Sequence, residues 1–156
     1  MGGKLAPLCS YGWTMADIHI DEFYQDCLKI LVQLYNTFPR LTTLYVDDLI
    51  SNAGTDEFGI PNRRHKACFD AMLWLASEGY IRYQDNIRHD ALDQVVLTEK
   101  SFLRLSLPVV IINDSQDLPP SVARKQATIA WHCRQALKDK GSEAIVQAAL
   151  QFFSQS

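Results

Sequence analysis

The hydrophobic period of this chain changes at Gly79, and that change restricts the folds open to it. Between Asn62 and Glu78, the apolar residues Cys68, Phe69, Met72, Leu73, Leu75 and Ala76 recur at the steps of a helix. Trp74 sits among these apolar neighbours and is expected in the core. Beyond Gly79, Tyr80–Tyr83 and Leu92–Leu97 alternate as strands do, with Gln84–Ala91 as a polar loop between them. Asn62 is placed to cap the helix and Gly79 to end it. A helix that runs directly into a hairpin makes the chain α+β, mainly helical, with a small antiparallel β-hairpin.

The flanking segments extend this frame. Ile20, Phe23, Tyr24, Cys27, Leu28, Leu31, Leu34, Tyr35 and Phe38 form one helical stripe that Pro39 stops. Asp21, Gln25, Asp26, Lys29 and Gln33 are assigned to its polar face. Thr42 or Thr43 is expected to cap a second helix over Leu44–Asn52, with Asn52-Ala53-Gly54 as its end. Thr98 and Glu99 open a short fourth helix that turns Phe102, Leu103 and Leu105 inward. Leu107–Ile112 reads as an extra strand or an extended crossing segment. One helix is expected from Ser121 to Lys140 and another from Ser142 to Phe153. Apolar residues of the last helix cover much of its circumference, so it needs cover from more than one side, either in the body of the fold or at a subunit contact.

Three helices, a Gly79-Tyr80-Ile81 hinge, a hairpin and the exit Val96-Leu97-Thr98-Glu99-Lys100 together resemble the winged helix-turn-helix superfamily over about residues 14–105. The segment Ala71–Ile81 is similar to that superfamily's junction between helix and wing. Ser101 stands where the superfamily usually carries glycine after the exit motif. On this reading residues 1–13 are an N-terminal arm, 14–105 the winged helix, 106–120 a linker and 121–156 a helical extension. The extension is the expected homodimer contact, through residues 121–153.

Composition excludes several classes. With 47% hydrophobic and 21% charged residues the chain suits a packed domain, not a disordered one. No apolar run reaches the length of a membrane-spanning helix. Ala6 stands where a myristoylation signal usually has Ser or Thr, and no secretory leader pattern opens the chain, so a cytoplasmic location is expected. Cys9, Cys27, Cys68 and Cys133 are far apart and lack a CxxC pair, which fits reduced thiols. Adjacent His132 and Cys133 point about 100° apart on a helix and do not chelate one ion. No nucleophile motif, phosphate loop or metal spacing is visible, so no enzyme, metal or cofactor is expected.

The resemblance implies double-stranded DNA as the partner, with helix 62–78 in the major groove and residues 80–97 as the wing. Asn62, Arg63, Arg64, His65 and Lys66 would then meet phosphates or base edges, with Arg82 and Arg88 steadying the wing beside His89. Three cations at the positive end of a helix are unfavourable without an anion nearby, which hints at a ligand. Charge argues the other way. Net charge is −3, and residues 14–57 hold eight acids (Asp17, Asp21, Glu22, Asp26, Asp47, Asp48, Asp56, Glu57) against Lys29 and Arg40. The alternative is a winged helix that docks onto a protein partner in a larger assembly. An unbroken positive face over helix 62–78 and the wing favours DNA; a face interrupted by acids favours protein.

Overall fold

The computed structural model describes residues 18–51, 57–109, 119–139 and 141–155. Residues 1–13, Cys9 among them, the Asn52–Gly54 helix signal and Val110–Ile112 lie outside the described residues. The chain is α+β and mainly helical. It opens with α1 (Ile18–Thr37), whose stripe buries Cys27, Leu28, Ile30, Leu31 and Leu34. α1 is the central beam of the molecule, because α3, α6, α7 and the sheet all pack against it.

The segment after α1 departs from expectation. Thr42–Tyr45 is a strand, β1, and the helix that follows, α2 (Val46–Leu49), is a single turn. Thr42, Thr43, Tyr45 and Val46 are β-branched or aromatic, and such residues favour a pleated surface over a helix. Leu44 points into the core while Tyr45 stands exposed, the alternation of a half-buried strand. Thr43 caps no helix; its hydroxyl donates to Asp93 Oδ1 at 2.8 Å.

α3 (Arg63–Ser77) begins where the sequence places it. The Asn62 side chain accepts from the His65 backbone N–H at 2.8 Å, and the chain leaves the helix through Gly79 at φ +78°. Then come β2 (Ile81–Arg82), β3 (Asp85–Ile87) and β4 (Ala91–Leu97), all antiparallel. β4 is the centre of the sheet, with β1 on one side and β2 and β3 on the other. The polar loop expected over 84–91 therefore contains a strand and a tight turn. Arg88 and His89 adopt positive φ, and Asn86 Oδ1 accepts from His89 N–H at 3.0 Å. Asp-Asn-Ile carries too little apolar alternation to announce β3; its pairing with β4 makes it a strand. Gln94, at φ +52°, lies at the register shift between β4 and β1.

α4 (Glu99–Ser106) is fastened to the start of the hairpin. Thr98 Oγ1 donates to the Gly79 carbonyl at 2.7 Å, and the fully buried Ser101 donates to the Tyr80 carbonyl at 2.5 Å. A serine at this position thus completes a buried hydrogen bond.

The expected single helix over 121–140 is two: α5 (Pro120–Gln126) and α6 (Ile129–Asp139). The break falls at Ala127–Thr128, where Thr128 bridges Pro108 and Ile129 N–H donates to the Leu107 carbonyl at 3.0 Å. A tertiary backbone pairing thus displaces the helix continuation that local propensity favours. α7 (Ser142–Phe153) lies in the body of the fold, burying Ile145, Ala148, Ala149 and Phe152 against α1 and α6. Its inner face and that of α6 belong to the same core as Leu28, Met72 and Leu92.

Cys27, Cys68 and Cys133 are free and buried. Burial pushes the Cys68 thiol up to about 12, helped by the Asp26 carboxylate, and the Cys133 thiol up to about 12 as well. Cys27 is raised too, first by burial and then by Asp26 and Cys68. Unfolded thiols ionise near about 8.5, so above that pH the folded chain holds more protons than the unfolded one. Stability is therefore expected to hold below about pH 8.5 and to fall as pH rises from there toward about 12. In a Cys9→Ser background the native chain should resist maleimide labelling at about pH 8 and react on unfolding. Fast native labelling at these thiols would contradict the packing described.

Candidate functional site

The first turn of α3 carries the strongest sequence hint of function, and its side chains have four different fates. Asn62 caps the helix. Arg63 and Lys66 are exposed. Arg64 turns inward and grips Asp26 of α1 with both terminal nitrogens, Nη1 to Oδ2 at 2.7 Å and Nη2 to Oδ1. The Asp26 side chain is 1% exposed and that of Arg64 23%. Hydrogen bonding to Asp26 raises the guanidinium above its ordinary value, against the opposing effect of burial. The anion that a cationic helix start requires is thus supplied from within the chain.

The sequence pattern places Asp26 on the polar face of α1, whereas the structure buries it. It lies three residues after Phe23 and four before Ile30, a spacing that places it on the buried stripe. That coincidence of an acid with the apolar period is the signal that could have identified it. A carboxylate buried to this degree requires a cation, and Arg64 is the only residue paired with it among the described residues.

His65 is also buried, so it does not meet a duplex from the helix surface. Its Nε2 lies 3.2 Å from the His89 carbonyl and 3.1 Å from Asp90 Oδ1. Both partners accept, so Nε2 carries the hydrogen and ties the start of α3 to the turn between β3 and β4. The ring of His89 meets Phe69 edge-on at 5.6 Å between centroids, which adds to the same junction.

Of the proposed wing contacts, Arg82 and Arg88 are exposed, as is His89. Acids share the surface with the remaining cations. Asp70 is exposed one turn after Lys66, and Asp85 and Asp90 are exposed on either side of Arg88. Asp47 and Asp48 stand exposed in α2. Among the described residues the cations of α3 and the hairpin are therefore interspersed with exposed acids.

Trp74 is 38% exposed, not enclosed in the core as expected. Its ring meets Phe23 and Phe153 edge-on at 5.1 Å and 5.7 Å and stacks near Tyr80 at 6.0 Å. Lys100 lies 4.0 Å over the Tyr80 ring, and Arg104 donates to its hydroxyl at 3.1 Å. Two further cations are thereby engaged within the molecule. Among the described residues no group of three or more His, Cys, Asp or Glu side chains is placed to hold a metal ion, and no helix is long and apolar enough to cross a membrane.

No family model matches the chain, and no curated protein or solved structure matches it.

The Arg64–Asp26 pair generates a stability prediction. Arg64→Ala leaves Asp26 buried and unpaired and should cost about 3–5 kcal/mol in urea unfolding. Arg63→Ala and Lys66→Ala should stay within about 0.5 kcal/mol of the parent. Asp26→Leu combined with Arg64→Met should recover most of the loss, since an apolar pair carries no desolvation cost. An Arg64→Ala chain as stable as the Arg63→Ala chain would show that the pair does not bind α1 to α3.

Proposed function

We propose that residues 18–106 form a winged helix that docks onto another protein. The order helix, strand, short helix, helix, then a hairpin closing onto a further helix supports the winged-helix reading. In it α3 is the helix that would read DNA, and β3, β4 and their turn are the wing.

One observation carries the choice of protein over DNA: Arg64 is held by buried Asp26, which leaves Arg63 and Lys66 with Asp70 on the open face of α3. Phosphate contacts supply much of the affinity for DNA, and each needs an available cation. The exposed acids Asp47, Asp48, Asp85 and Asp90 would add repulsion around the same approach. Exposed Leu41, Tyr45 and Ile87 instead offer apolar surface of the kind that protein partners cover. A homodimer contact through residues 121–153 has less support, because α6 and α7 already bury their apolar faces within the chain.

The test pairs two measurements on the full chain. Fluorescence anisotropy with a mixed-sequence duplex at physiological salt, about 150 mM, should give no binding tighter than the non-specific range of about 10⁻⁴–10⁻⁶ M. Affinity purification from the source cells, followed by light scattering of the reconstituted pair, should give a complex of defined stoichiometry with one protein. Tight, salt-dependent duplex binding that disappears with Arg63→Glu plus Lys66→Glu would overturn the proposal in favour of DNA.

A further inference from the structure

The outer face of the sheet combines two features, a row with exposed apolar ends and a row of acids. Residues directly opposite each other on paired strands point to the same side. Tyr45 of β1 pairs with Ala91 of β4, and Ala91 pairs with Ile87 of β3, so the three form one row across the sheet. Tyr45 is 46% exposed and Ile87 37%, whereas the next row, Leu44 and Leu92, faces the core. Large apolar side chains thus stand exposed at the two ends of this row, on β1 and β3, while the small Ala91 between them is fully buried.

The neighbouring row on that face is acidic. Asp93 of β4 is directly opposite Asp85 of β3, and like charges in that relation are destabilising. Thr43 donates to Asp93, and the Asn86 backbone N–H donates to Asp85, but neither bond supplies charge. Among the described residues no ion pair joins either carboxylate to a cation, Arg82 of β2 included. Asp47 and Asp48 follow Tyr45 closely and extend the negative rim. β1 and β3 each pair only with β4 among the described residues, so they are the margins of the sheet.

From this juxtaposition we infer that the outer face and the β1 margin receive an extended, basic segment of a partner protein. The inference rests on the docking reading above and specifies the partner's chemistry. A strand laid along β1 makes main-chain hydrogen bonds at the margin and presents every second side chain to the outer face. An apolar side chain then falls beside the Tyr45 row. A long cationic one, two residues away, falls beside the row that holds Asp93 and Asp85. The recognised pattern is an apolar residue and an arginine or lysine separated by one residue. Charge complementarity selects a basic segment over an acidic one, because the cation removes a repulsion that the free chain retains.

The probe is a fluorescein-labelled, end-blocked octapeptide in which isoleucine and arginine alternate at every second position with threonine between them. It should bind the full chain at low salt, and its counterpart with glutamate for arginine should not. Asp85→Asn with Asp93→Asn should weaken binding roughly tenfold, about 1.4 kcal/mol, and Tyr45→Ser with Ile87→Ser should weaken it similarly. These side chains are exposed or half-exposed, so each variant is expected to keep the parent circular dichroism. No binding to the folded parent, or equal binding by parent and both variants, would overturn the inference. A partner purified with the parent and retained by both variants would also overturn this face while leaving the docking reading intact. If the parent binds no protein at all, the docking reading itself falls.

Discussion

The bidentate contact between Arg64 and Asp26 is the interaction on which the rest of this structure depends. It joins α1 to the first turn of α3, and so sets where α3 begins relative to the central beam. The hairpin follows α3 through Gly79, and the turn at its far end returns to α3 through His65. Removing the partner of a buried carboxylate is costly because low-dielectric surroundings give the charge no substitute for water. The same contact limits chemistry at the surface. A guanidinium that neutralises Asp26 does not also grip a phosphate.

Around this joint α1 is covered on two flanks. The sheet covers one flank of α1 with Leu44, Leu92, Val95 and Leu97, while α6 and α7 cover another with Ile129, Cys133, Ala149 and Phe152. The C-terminal helices therefore share one core with the hairpin. Among the described residues the outer positions of β1 and β3 and one face of α3 remain exposed, and on both the charges are mixed or negative. The aromatic group of Phe23, Trp74, Tyr80 and Phe153 seals the seam between α1, α3 and α7 while holding Lys100 and Arg104 over Tyr80.

Much of this architecture is readable from residues alone. The stripe from Phe23 to Leu34, the cap at Asn62, the exit at Gly79 and the run of α7 all follow local rules, and the structure has them in place. The misreadings of secondary structure share one physical cause, tertiary pairing overriding local pattern. β1 is a strand because β4 accepts it, β3 because Asp85–Ile87 can pair across a tight turn, and α5 ends because Thr128 meets Pro108. The candidate site was less legible than the fold. The basic run 62–66 is visible as charge, but which of its members face solvent depends on Asp26, 38 residues away from Arg64. Composition indicates a surplus of acid without indicating that one acid lies on a buried stripe.

The most direct test of the account is nuclear magnetic resonance of the Arg64 guanidinium in the full chain. A group held by two hydrogen bonds to a buried carboxylate should show separate, slowly exchanging Nη hydrogens that neither added salt nor excess duplex DNA displaces, since buried pairs are weakly screened. A single averaged signal in the free chain, or a shift that saturates as duplex is added, would show Arg64 free to meet phosphate. Either result would contradict both the joint and the choice of a protein partner over DNA that rests on it.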